Sequence, residues 1–110
     1  MHCVKMHGLG NDFLIIEDRE AHKITSIKDF TIAACDRHFG VGGDGVIFVQ
    51  PSQKADVRMR IFNSDGSEAE MCGNGIRCLA KYVYERGIVH DPIFTVETGA
   101  GIIVPEIILE

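Results

Sequence analysis

Cys72-Gly73-Asn74-Gly75 is the stretch of this chain best suited to chemistry. A cysteine acts as a base or nucleophile once it has lost its proton, and the start of a helix favours the thiolate. The spacing of Ile76, Leu79, Ala80 and Val83 predicts a helix from Ile76 to Arg86, with Gly87 as its stop. Cys72 then lies just ahead of the first turn, where unpaired N–H groups can hold a carboxylate. Gly73 and Gly75 let a ligand approach the backbone with no Cβ in the way. A plainer reading competes with this one. Cys-Gly-Asn-Gly is also a tight turn into a helix, with Cys72 as a small buried apolar side chain.

The elements that position this stretch follow from local pattern. His2–Met6 and Phe13–Asp18 read as strands around a Gly8–Asp12 loop, in which Asn11-Asp12 suits a turn. Phe13 to Ile16 is a compact apolar run that fits a buried strand. Arg19–Thr25 reads as a polar surface connection. Thr25 or Ser26 can cap a helix that runs to about His38 and ends at Gly40, with Ile27, Phe30, Ala33 and Ala34 on one face. Val46–Val49 reads as a strand. Val57, Met59 and Ile61 alternate with Arg58 and Arg60, which predicts a strand with one buried face whose arginines are solvated or pair with acidic neighbours. That strand leads to Asn63 and to a turn at Asp65-Gly66. Further strands are expected at Ile93–Glu97, Ile102–Val104 and Ile107–Leu109, with a turn at Thr98–Gly101. The Ile76–Arg86 helix has only a narrow polar stripe of Arg77, Lys81 and Glu85, so it must be largely enclosed. A small sheet wrapped around it satisfies that need, which predicts an α+β fold.

Several functions are disfavoured. At 110 residues the chain is one domain near the lower size for a good core, and 45% hydrophobic residues suffice to build it. A net charge of −5 with scattered basic residues argues against a nucleic-acid partner. No apolar run is long enough to span a membrane, and the first residues lack the apolar core of a signal peptide, so a cytoplasmic location is expected. Cys3, Cys35, Cys72 and Cys78 form no Cys-x-x-Cys and are expected to be free thiols. Gly40-Val41-Gly42-Gly43-Asp44-Gly45 satisfies the dinucleotide-binding expression. A helix precedes it and a strand follows it, the reverse of what a pyrophosphate site needs, so nucleotide binding is rejected. The five histidines have no metal-ligand spacing.

Three blocks together resemble the diaminopimelate epimerase family. They are Lys5 to Phe13, Asp36 to Gly45, and Asn63-x-Asp65-Gly66-Ser67 followed by Cys72-Gly73-Asn74-Gly75-x-Arg77. The resemblance covers nearly all of this chain and about the first half of the family's length. It implies a strongly bent antiparallel sheet around one long helix, and an amino-terminal domain over residues 1–110 with its second domain absent. It implies interconversion of LL- and meso-diaminopimelate in lysine and peptidoglycan precursor biosynthesis, without pyridoxal phosphate or metal. Inversion at a carbon needs one base on each face, and in the family two cysteines serve, one from each domain. Cys72 matches the first. Gly73 and Asn74 match the backbone donors to the α-carboxylate, and Asn11 and Asn63 match side chains that bind substrate. The Gly-rich segment helps line the family's cleft, and some members carry glutamine where this chain has Gly45. No second cysteine lies in such a context here, so the chain is expected to be inactive or nearly so alone. It is also expected to pair with a second copy as a homodimer. The alternative is a non-catalytic, self-associating domain in which Cys72 is a vestige.

Overall fold

A strand that is apolar at every position needs cover on both faces, and Phe13 to Ile16 receive it. The computed structural model describes residues 2–8 and 10–105. The apolar run lies in strand β2 (Asn11–Glu17), which follows β1 (Val4–Gly8). Phe13 and Ile15 enter one core, while Leu14 and Ile16 enter another on the opposite face. Beyond β2 come a one-turn helix α1 (Asp18–Ala21), helix α2 (Ile27–Cys35), and strands β3 (Gly45–Gln50), β4 (Val57–Asn63) and β5 (Glu68–Ala69). Helix α3 (Gly73–Glu85) and the hairpin β6 (Val96–Thr98) and β7 (Gly101–Ile103) complete the described chain.

The strands form one sheet in the order β1-β2-β3-β4-β6-β7, with β5 beside β4. The α+β architecture is the expected one, although the sheet is mixed rather than antiparallel throughout. β2 runs parallel to β3 and β4 runs parallel to β6, because α2 and α3 act as the crossovers. Helix α3 lies on the face of Phe13, Ile15, Ile47 and Met59, and its Leu79 and Val83 are fully buried there. Helix α2 covers the face of Leu14, Ile16, Val46 and Phe48.

Local chemistry moved several boundaries. Helix α2 ends at Cys35, three residues before His38, because the Asp36 carboxylate accepts the N–H groups of His38 (2.8 Å) and Phe39 (2.9 Å). That Asx turn offers the backbone an alternative to the helix. The buried face of α2 includes Thr31 and Cys35, while Ala33, expected inside, is exposed. Ser26 caps the helix as expected, accepting from the N–H of Asp29 at 3.3 Å. Asn11 and Asp12 belong to β2 and not to a turn, since β1 and β2 pair to Gly8↔Asn11. The polar stretch after Glu17 contains α1. β6 starts at Val96 because Thr95 is tied to Asp56, its N–H donating at 2.9 Å and its hydroxyl accepting from the Asp56 N–H at 3.0 Å. The strand expected at Ile107–Leu109 lies outside the described residues.

One consequence of register positions the site. Gly45 lies opposite Phe13 in β2 and opposite Asn63 in β4. The beginning of β2, the beginning of β3 and the end of β4 therefore share one end of the sheet.

Candidate active site

Helix α3 starts at that same end, and it starts earlier than its apolar spacing predicts. Its first residue is Gly73 and Cys72 is the N-cap, extended at φ −143° and ψ 122°. The first helical hydrogen bond runs from the Ile76 N–H to the Cys72 carbonyl at 2.9 Å. The N–H groups of Gly73, Asn74 and Gly75 precede it and so have no partner within the helix. Periodicity missed this turn because glycine and asparagine carry no apolar signal.

Cys72 is half-buried, borders the larger core, and its thiol makes no capping hydrogen bond. The thiol is therefore not held by its own helix. A Cβ on Gly73 would meet nothing within 4 Å among the described residues, so the first turn is open to a ligand there. Gly75 differs. A Cβ on it would lie 2.7 Å from Ile61 Cδ1, so this glycine lets α3 settle onto β3 and β4. Cys78, one helical stretch further on, is buried. Burial pushes its thiol up, and the nearby Cys72 adds to that. Gly8 packs over it, since a Cβ on Gly8 would come within 2.9 Å of Cys78 Sγ.

The amide Nδ2 of Asn74 donates to Asn11 Oδ1 at 2.6 Å, joining the first turn of α3 to the beginning of β2. Cys72, Gly73, Asn74 and Asn11 thus form one continuous surface. Asn63 shares the sheet end, but its amide is committed to its own turn. It donates to Ser67 Oγ at 3.1 Å, and Gly66 (φ +87°) donates back to the Asn63 carbonyl at 2.9 Å. The Asp65 carboxyl is held below its ordinary range, first by the Ser67 hydroxyl and then by the Ser67 N–H. Asp65 is a turn residue, as its Asp-Gly context indicates.

A polar cluster behind Asn11 was not singled out by the sequence. Asp44 Oδ2 accepts the Asp12 N–H at 2.7 Å, and the Asp44 N–H returns a bond to the Asp12 carbonyl at 2.8 Å. Arg37 bridges the two carboxylates, at 3.4 Å from Asp12 Oδ2 and 3.3 Å from Asp44 Oδ1. His7, through its hydrogen bond, is the first cause holding the Asp12 carboxyl below its usual range. Burial opposes that shift, and Arg37 reinforces it. Asp44 stood inside the misleading glycine-rich expression, which drew attention to the glycines. Elsewhere Arg60 pairs with Glu68 through two bonds of 2.9 Å, in keeping with a cross-strand role. Among the described residues no three His, Cys, Asp or Glu side chains converge as metal ligands, and no helix is long and apolar enough to cross a membrane.

The arrangement joins a free thiol, a row of backbone donors and amide side chains at one open end of a sheet. That combination can hold a carboxylate and exchange a proton beside it.

Comparison with known proteins bears on family and fold. The family model described as "Diaminopimelate epimerase" matches residues 3–109. A diaminopimelate epimerase of Caldanaerobacter subterraneus subsp. tengcongensis is 58% identical over 110 residues, covering 100% of this chain and 39% of the relative. One from Heliobacterium modesticaldum is 60% identical over 112 residues, covering 100% of this chain and 40% of the relative. The chain thus spans about two fifths of the length of these curated relatives. Among solved structures, a Bacillus anthracis phenazine biosynthesis protein of the PhzF family superposes with a TM-score of 0.69 at 30% identity, covering 98% of this chain and 34% of that one. A PhzF-family protein of Enterococcus faecalis gives 0.62 at 14% identity, covering 86% of this chain and 33% of that one, a likeness of fold.

Proposed function

The chain belongs to the diaminopimelate epimerase family, and from that premise we propose that it is the amino-terminal portion of a two-base amino-acid epimerase with Cys72 as one base. The substrate is diaminopimelate, interconverted between its LL and meso forms, in supply of lysine and peptidoglycan precursors in the cytoplasm. The observation that carries this reading is the half-buried Cys72, whose thiol makes no capping bond, beside the open first turn of α3.

Taking a proton from an α-carbon builds negative charge on the adjacent carboxylate. The N–H groups of Gly73 and Asn74 receive that carboxylate, and the helix dipole stabilises the added charge. The thiolate of Cys72 takes the proton from one face. A thiol from the portion of the relatives' length outside this chain gives a proton to the other face. One C–H bond breaks and one forms, so nothing is oxidised or reduced, and neither step routes through a cofactor. Asn11 and Asn63 bind the distal amino-acid end.

Incubation with diaminopimelate in deuterium oxide tests the role of Cys72. One working base gives α-deuterium incorporation without net inversion, and Cys72→Ala lowers it by about 10²- to 10⁴-fold, the ordinary contribution of a positioned base. Stability of that variant stays within about 0.5 kcal/mol, since the lost thiol makes no hydrogen bond. Exchange that is absent, or that survives in Cys72→Ala, rejects the assignment.

A second reading draws on Ile102 (51% exposed) in β7, the last strand in the sheet order among the described residues, and on Val104 (60% exposed) just after it. An apolar sheet edge invites pairing, which favours a self-associating, non-catalytic domain that forms a homodimer. Sedimentation showing only monomer across micromolar concentrations removes this reading.

A further inference from the structure

The hydrogen bond between Asn11 and Asn74 has two possible senses, because a carboxamide carries a donor at one corner and an acceptor at the other. What decides between them is the charge next door. The far corner of the Asn11 amide, Nδ2, faces Asp44 Oδ2 at 3.5 Å. An ionised carboxylate only accepts. With the amide turned over, the Asn11 carbonyl oxygen would confront that carboxylate at a similar distance. The resulting repulsion outweighs the modest length of the present contact, since a bond to an ionised group is roughly twice as strong as a neutral one.

Asp44 has no freedom to adapt. Its Oδ2 is already bound by the Asp12 N–H at 2.7 Å and its Oδ1 lies 3.3 Å from Arg37. Its own N–H is bonded to the Asp12 carbonyl at 2.8 Å. Arg37 lies against both carboxylates and offsets part of their charge. The orientation therefore passes from Asp44 to Asn11 and from Asn11 to Asn74. Asn11 Oδ1 takes the Asn74 N–H at 2.6 Å, one N–H of Asn11 faces Asp44, and the other has no partner among the described residues. Asn74 keeps its own Oδ1 and one N–H.

We propose that Asp44 is a positioning residue that fixes the sense of the Asn11–Asn74 amide pair, leaving Asn11 with a free N–H for a ligand carboxylate. The class of ligand rests on the function proposed above, while the sense of the amide pair does not.

The test uses the isotope-labelled chain without ligand, so its failure is separate from failure of the deuterium assay. A scalar coupling through the hydrogen bond from Asn74 15Nδ2 to Asn11 13Cγ is expected. No coupling in that sense, or one from Asn11 15Nδ2 to Asn74 13Cγ, overturns the proposal. In Asp44→Ala the forward coupling should disappear and the Asn74 side-chain N–H should exchange with solvent at least about 10-fold faster, with backbone protection in β2 and β3 retained. Asp44→Asn, whose oxygen can still accept from both the Asp12 N–H and Asn11, should restore slow exchange. Should the alanine variant not fold, Asp44→Ser replaces it, because a hydroxyl both donates and accepts and so removes the bias. A forward coupling that persists in the folded alanine or serine variant overturns the role of Asp44.

Discussion

Helix α3 is tied to strand β2 by a polar contact at each end, and the two contacts are built from different chemistry. At the far end the Tyr82 hydroxyl donates to Glu17 Oε2 at 2.7 Å. Arg19 also reaches Glu17 at 3.5 Å, and the Arg86 guanidinium lies 5.0 Å from the Tyr82 ring centroid. Tyr82 is 3% exposed, with its one donor in use. At the near end Asn74 meets Asn11, two neutral amides that among the described residues retain spare donors and an acceptor, next to N–H groups with no partner within the helix. The far contact is saturated and serves to hold the helix in place. The near contact is unsaturated and available to a ligand. A rigid anchor at one end lets the other end carry unmet polar groups without the helix shifting.

Breaking the anchor should give the largest loss of stability. Tyr82→Phe removes a hydrogen bond to a charged group while keeping the ring, so about 1.5–3 kcal/mol should be lost in urea unfolding. Acidity gives an independent check. Burial first, and then the bond to Glu17, push the Tyr82 phenol up to about 12 from 10.0. A folded value above the unfolded one means the contribution is whole below pH 10 and is lost as pH rises through about 12. The fall in stability across that window should flatten in Tyr82→Phe. A variant as stable as the parent, with the same alkaline profile, would show that the far contact anchors nothing.

Asn74→Ala acts on the open end and should cost less, about 0.5–1.5 kcal/mol, because the contact joins neutral groups that water can partly replace. Its larger consequence is for α-deuterium incorporation, which should fall with little change in unfolding midpoint. If stability falls as far as in Tyr82→Phe, the two ends are alike and the contrast drawn above is lost.

The anchored half of this arrangement was easier to read from sequence than the open half. Apolar periodicity placed α3 through Ile76, Leu79 and Val83, and the run at Phe13 to Ile16 announced a buried strand. Asp65-Gly66 announced its turn. These signals are local, or they come from burial. The parallel pairings of β2 with β3 and β4 with β6 depend on contacts distant in sequence, and no short pattern carries them. The early start of α3 at Gly73 was hidden because its first turn has no apolar residue. The end of α2 at Cys35 was set by the side chain of Asp36, although Gly40 looked the stronger signal. Cys72, Gly73, Asn74 and Asn11 were legible through resemblance to a family. Asp44 was not, since its role depends on lying beside Asn11, 33 residues away in sequence.

Gly73→Ala should move stability least and separates the two halves most cleanly. A Cβ at this position meets nothing within 4 Å, and the backbone there is not left-handed. Alanine also has the better helix propensity, so the unfolding free energy should stay level or rise by up to about 1 kcal/mol. The added methyl nevertheless tilts toward the N-terminal end of the helix, the side from which the proposed carboxylate must reach the first-turn N–H groups. A displacement of about 1 Å at a reacting centre costs up to about 10²-fold in rate, so α-deuterium incorporation should fall by about 10- to 100-fold. A stable protein with impaired exchange would show that the open end of α3 is kept open for a ligand and not for folding. If exchange in Gly73→Ala matches the parent, the carboxylate binds elsewhere, and the first-turn N–H groups of α3 are only a frayed helix start.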